Sequence, residues 1–258
     1  MISVLHLGTI DYATGVRLQR RLVELRKDGR IGDVLLLLEH VPVITLGRNA
    51  KATNVVASAE LLSRRGVEVV QCDRGGDVTF HGPGQLVGYP IFNLREMPAE
   101  NGNPKTLGAV AYVRKLEEVL IRTCADFGIP SKRVAGLTGV WTDANEEAKI
   151  AAIGVHISRA VTSHGFALNV NVDLGYFNLI IPCGITSKPV TSLARELKQQ
   201  LSMQAVAHSI SRNFGLVFQS QMLWLESIGL LLKNSVGVPM RVPEELRRLH
   251  KDEESTWA

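Results

Sequence analysis

The patterning of this chain predicts an α/β fold (α+β in the stricter usage), built on a mixed, largely antiparallel sheet flanked by helices on one side. Strand-like runs of period two alternate with segments of helical period, and adjacent strands are joined by short turns. With 258 residues, 45% of them hydrophobic, the chain can also bury a sizeable core in one or two domains.

Ser3 to Leu7 reads as the first strand. Asp11 can cap the helix that follows, and Leu18, Leu22 and Leu25 fall on one face of it before Gly29 ends it. Val34 to Leu38 is five aliphatic residues in a row, the pattern of a strand buried on both faces. Glu39 to Pro42 breaks that run, and Val43 to Leu46 is a further strand ending at Gly47-Arg48-Asn49. A short helix over Glu60 to Arg65 stops at Gly66, and Val67 to Cys72 leads into a glycine-rich stretch. There Thr79 to His81 and Gln85 to Phe92 are strands separated by the turn Gly82-Pro83-Gly84. The longest amphipathic segment starts near Thr106, carries Val113, Leu116, Leu120 and Cys124 at close to helical spacing, and stops at Gly128. Cys124 thereby reads as a core residue. Val140 to Trp141, Lys149 to Ile157 and Gly165 to Val172 are strand-like, with Thr142 to Ala148 as a hairpin loop. Ser202 can cap a helix through Phe214.

Beyond residue 220 the pattern changes. Met222 to Leu232 is too apolar to be left in water and should pack on the domain or on a second subunit. Val236 to Pro243 reads as extended chain, Pro243 can start a short helix through Leu249, and Lys251 to Ala258 is polar and expected to be mobile. The expected division is residues 1–220 as the main domain and 221–258 as an accessory extension.

Composition excludes several classes. Charged residues interrupt every apolar run near the N-terminus, so no signal peptide is read there, and no stretch approaches the length of a membrane span. Three scattered cysteines, Cys72, Cys124 and Cys183, do not make a disulfide framework, which points to a reducing, cytoplasmic setting. A net charge of +4 favours acidic partners but is not the basic stripe that nucleic-acid binding demands. The expectation is a monomer with no membrane, metal or nucleic-acid partner.

The chemistry concentrates in two places. Arg74 to Phe92, RGGDVTFHGPGQLVGYPIF, packs glycines, a histidine and a glutamine into a short interval. Its glycines permit positive φ and close approach of backbone, so the stretch reads either as a tight hairpin or as a turn, strand, turn, strand unit lining a groove. Downstream lie Lys149 to Gly154, Ser163 to Asn169, and Ile181-Pro182-Cys183-Gly184, where Cys183 sits at a turn rather than inside a regular element.

These segments closely resemble the signature of the octanoyltransferases of lipoate biosynthesis, in the lipoate/biotin protein ligase superfamily: Arg74, Gly75, Gly76, Thr79, Phe80, His81, Gly82, Gly84, Gln85 and Tyr89, together with the downstream segments around Lys149 and Cys183. The resemblance covers roughly residues 30 to 215. Lipoate and biotin ligases are expected to carry two arginines and a third glycine before the histidine, and Asp73-Arg74-Gly75-Gly76-Asp77 departs from that pattern. The resemblance implies a biotin/lipoate ligase-like fold, catalysis by Cys183 and Lys149, and substrate contacts from Arg74, Gly75, Gly76, Asp77, Val78, Thr79, Phe80 and His81, from Ala152, Ile153 and Gly154, and from Gly165, Phe166 and Ala167. It further implies octanoyl-acyl carrier protein as donor, lipoyl domains of 2-oxoacid dehydrogenase and glycine cleavage proteins as acceptors, and no cofactor beyond the phosphopantetheine on the donor. A lysine beside a cysteine has its own logic, because an adjacent ammonium favours the thiolate and can then shuttle a proton. For His81, lining an acyl pocket, orienting Lys149 and stabilising the glycine turn remain open at this level. His164 and Asn169 are weaker candidates.

Overall fold

The computed structural model describes residues 1–97, 107–143, 146–181 and 188–233. Thr106, the turn Pro182-Cys183-Gly184, the extended stretch 236 to 243, the helix from Pro243 through Leu249 and the polar end 251 to 258 lie outside the described residues.

In chain order the strands and helices are β1 (Ile2–Ile10), α1 (Tyr12–Lys27), β2 (Asp33–His40), β3 (Val43–Leu46), α2 (Ala59–Arg64), β4 (Glu68–Gln71), β5 (Val78–His81), β6 (Gln85–Ile91), α3 (Ala109–Asp126), β7 (Ser131–Val134), β8 (Leu137–Thr142), β9 (Lys149–Ser158), β10 (Val161–Asn169), α4 (Leu193–Leu197), α5 (Met203–Phe218), β11 (Met222–Trp224) and α6 (Ile228–Lys233). The strands form two sheets. Eight make a large mixed sheet in the order β11-β1-β2-β6-β10-β9-β8-β7, and β4-β3-β5 make a small one. β1 runs parallel to β11 and β2, and every other pairing in the large sheet is antiparallel.

Helices cover both faces of the large sheet, which corrects the expectation of one side. On one face α3 and α5 deliver Leu116, Leu120, Ile210 and Phe214; on the other α1 and α6 deliver Leu18, Leu22, Leu25 and Leu231. The aliphatic run of β2 explains why both are needed: Leu35 and Leu37 face the first core, while Val34, Leu36 and Leu38 face the second. Caps fall where the sequence puts them, with Asp11 Oδ1 accepting from Thr14 N–H at 2.8 Å and Ser202 accepting from Ala205 N–H. Cys124 is fully buried in the first core.

The single expected sheet is also corrected. β5 and β6 do not form a hairpin: β5 pairs with β3 in the small sheet, whereas β6 pairs with β2 and β10 in the large one. The turn at Gly82-Pro83-Gly84 therefore carries the chain from one sheet to the other, and Glu39 Oε2 accepts from Gly84 N–H at 2.6 Å to fix it. β10 starts at Val161, earlier than its pattern suggested, because Arg159 and Ala160 make a two-residue turn with φ of 52° and 66°. No helix among the described residues is long and apolar enough to cross a membrane.

Candidate active site

Separate stretches of chain meet in a pocket between the two sheets. Alternation along β5 turns Thr79 and His81 into the pocket and sends Val78 and Phe80 into the small core, where Phe80 stacks on Tyr176 at 4.6 Å. β9 and β10 supply the facing wall through the cross-strand pairs Ala152 with Ala167, Ile153 with Phe166 and Gly154 with Gly165. Arg74, Gly76 and Asp77 close one side, and Tyr12, Val87, Tyr89 and His164 complete the lining. The cavity measures about 50 Å³.

Backbone geometry fixes the glycine-rich loop. Gly75 N–H donates to Val155 O at 3.0 Å, and a Cβ on Gly154 would stand 2.7 Å from Gly75 O, so only glycine at 154 lets the loop lie on β9. Gly75 thus acts through its backbone and does not line the pocket. The Arg74 guanidinium, buried, donates to Thr45 Oγ1 at 2.9 and 3.1 Å, to Thr45 O at 2.6 Å and to Gly75 O at 3.1 Å, which ties the loop to β3. Asp77 accepts from Val78 N–H and from Asn54 Nδ2, tethering the neighbouring turn.

Burial disfavours the charged form of His40, His81 and His164. Gln85 Nε2 donates to Phe80 O and Asn169 Oδ1, so its Oε1 is the acceptor for His81 Nδ1 at 2.7 Å, and the proton of that imidazole sits on Nδ1. Burial pushes His81 down to about 3, with His40 and Arg74 adding to the shift. His40 donates from Nδ1 to Ile10 O and accepts from the Tyr89 hydroxyl at Nε2, 2.7 Å away; burial holds it near about 4. His164 donates to Asp73 Oδ1 at 2.8 Å, yet burial outweighs that carboxylate and lowers its pKa.

Lys149 opens β9 and is 7% exposed. Its ammonium stands 5.3 Å from the centre of the Trp141 ring, and its stem passes Gly139 of β8, where a Cβ would be 2.9 Å from Cε. A small adjoining cavity is lined by Lys149, Gln85, Asn169, Val190 and also Thr79 and Ala152, which border the larger pocket too. Lys149 N–H donates to Pro189 O at 2.8 Å and Thr191 N–H donates to Lys149 O at 2.9 Å, so the chain resumes beside Lys149 after the undescribed segment 182–187. At that segment's start Ile181 N–H donates to Asn54 O at 2.7 Å. Cys183 itself lies outside the described residues.

Sequence reasoning missed Tyr12 and His40. Tyr12 follows a helix cap and His40 ends an aliphatic run, positions where an aromatic is unremarkable; only the packing of α1 against β2 and β6 brings their rings to 5.3 Å.

The Lipoyl protein ligase A/B catalytic domain model matches residues 11–215. The chain is 63% identical to an octanoyltransferase of Koribacter versatilis over 253 residues, 98% of each chain, and 62% identical to one of Acidobacterium capsulatum, covering 90% of this chain and 96% of that one. In fold it is similar to the bipartite lipoate protein ligase of Thermoplasma acidophilum (TM-score 0.68, 16% identity, 98% of this chain and 91% of that one). It is likewise similar to a lipoate-protein ligase A solved with ATP (TM-score 0.68, 13% identity, 98% and 94%). On these grounds the chain belongs to the lipoyl protein ligase A/B catalytic domain family and, within it, to the octanoyltransferases.

Proposed function

We propose that this acyltransferase moves an octanoyl group from octanoyl-acyl carrier protein, through a thioester on Cys183, to a lysine ε-amine of a lipoyl domain. The observation that carries the reading is the buried lysine lining a cavity that adjoins the acyl pocket, with the downstream flank of the Cys183 segment hydrogen-bonded to its backbone. An ammonium there favours a nearby thiolate over the thiol. The Cys183 thiolate attacks the donor carbonyl, the bond to the phosphopantetheine sulfur breaks, and that sulfur leaves as a thiol with a proton from Lys149. The acceptor amine then attacks the enzyme thioester, loses a proton to Lys149, and releases the Cys183 sulfur. Thioester exchange is near balance and amide formation is downhill, so no ATP is consumed. Thr79 and His81 on one side and Ile153 and Phe166 on the other hold the acyl chain. An ATP requirement in this chain would overturn the transferase reading.

Incubation with octanoyl carrier protein, without ATP, is expected to add one octanoyl mass that hydroxylamine removes. Intact-mass spectra of the wild type and of Cys183→Ser decide it: no adduct, or an adduct that persists in the serine variant, refutes the nucleophile.

A further inference from the structure

The cavities of this site form a series along the β9/β10 ladder. The one at Lys149 shares Thr79 and Ala152 with the acyl pocket, and the acyl pocket shares His164 with a third cavity of about 220 Å³ against α1. Val16 and Val23 of α1 give that third cavity an apolar strip, and the rest of its lining is polar or charged, Arg20, Glu24, Lys27 and Asp73 among it. His164 is the residue common to the two larger spaces. Its ring stands edge-on to Tyr89, 6.2 Å between centres, and on the other side its Nε2 is held by Asp73. Its backbone is held as well: φ is +54° inside a strand, and its N–H donates to Gln19 Oε1 at 2.7 Å.

We infer that His164 is the end wall of the acyl pocket and sets the longest acyl chain the enzyme accepts. This rests on the octanoyl-transfer reading, because Lys149 marks the carbonyl end. Ala152, bordering the Lys149 cavity, lies three ladder positions from Val155, the partner of His164, so ~10 Å of strand separates the reacting end from the wall. That length is comparable to an extended eight-carbon chain. Asp73 and Gln19 are positioning residues that keep the imidazole across the passage; beyond it the α1 cavity would take further methylenes along Val16 and Val23.

The test uses the full chain with separate octanoyl, decanoyl, dodecanoyl and tetradecanoyl pantetheine thioesters, reading rates of adduct formation by intact mass. The wild type should favour octanoyl. His164→Gly removes the wall and suits the positive φ, so the protein should fold, and its dodecanoyl-to-octanoyl rate ratio should rise roughly tenfold, about 1.4 kcal/mol. His164→Asn, which also tolerates this backbone, should shift the ratio in the same direction. A wild type that takes octanoyl alongside variants with an unchanged ratio, or with octanoyl lost and nothing gained at greater length, overturns the wall. A wild type acylated by no thioester refutes the transfer reading instead. The wall is then judged by thermal stabilisation with the free fatty acids of the same lengths, where an unchanged length cut-off in both variants overturns it.

Discussion

A lysine that is nearly inaccessible to water and packed against an indole has given up hydration, so its side chain should matter more to chemistry than to solubility. Lys149→Ala is expected to slow alkylation of Cys183 near neutral pH, move the alkylation profile to higher pH, and cut transfer by a factor of about 100 or more. Lys149→Arg, retaining charge without proton shuttling, should spare alkylation better than transfer. Unchanged alkylation and turnover in both variants would remove Lys149 from the mechanism. The buried histidines make a second, thermodynamic statement. His81 and His40 stay neutral in the fold down to about 3 and about 4, whereas an unfolded histidine takes up its proton near about 6.5. Below that pH the unfolded state binds more protons, so stability falls as pH falls, by about 1.4 kcal/mol per pH unit for each residue. Their contribution is undiminished above about 6.5, and the pair should cost about 4 kcal/mol by about pH 5. Urea titrations across this window check it: His81→Gln should lose one proton's worth of slope, and a pH-independent midpoint would contradict the neutral buried cluster. At this scale the sequence showed His81 by its glycine neighbours and Lys149 only through the family resemblance, and could not show that Arg74 is occupied by Thr45, a contact that bridges 29 residues.

Secondary elements were legible where local chemistry decides them. The caps at Asp11 and Ser202 and the doubly buried run of β2 needed no distant information, and each stands as the sequence reads. The relation of β5 to β6 was not legible, because Gly82-Pro83-Gly84 suits a hairpin as well as a crossing, and only the distant partners β3 and β10 decide between them. β7, four residues with lysine and arginine among them, lacks the apolar alternation that marks a strand; it owes its existence to β8. The β9/β10 turn was invisible for a related reason. Arg159 and Ala160 both have positive φ without the asparagine and glycine such a turn favours. Ala160→Gly should therefore stabilise the fold by about 1 kcal/mol, read as a rise in melting temperature of a few degrees. A lower melting temperature would mean that the methyl of Ala160 contributes more than its backbone strain costs.

On the scale of the whole molecule, residues 221–233 add an edge strand to the large sheet and apolar side chains to its core. β11 pairs in register with β1, Ile2 opposite Met222, and Ile228, Leu231 and Leu232 pack into the core beneath α1. Truncation after Ser220 is expected to lower the melting temperature and solubility while leaving the octanoyl adduct detectable in protein that stays folded. A well-folded truncation that cannot be acylated would give the tail a part in the site. The crossing between sheets has a consequence for the order in which a chain leaving the ribosome can become this enzyme. Hydrogen bonding in the small sheet is complete within residues 43 to 81, but its apolar face is closed by Val172, Phe177, Leu179 and Ile180, which follow directly on β10 of the large sheet. β6 in turn waits for β10. The small sheet therefore cannot close its core, nor β6 gain its second neighbour, before β10 has been made, and a nascent chain should hold no acyl group, and offer no half-built site to one, until about residue 180 has emerged.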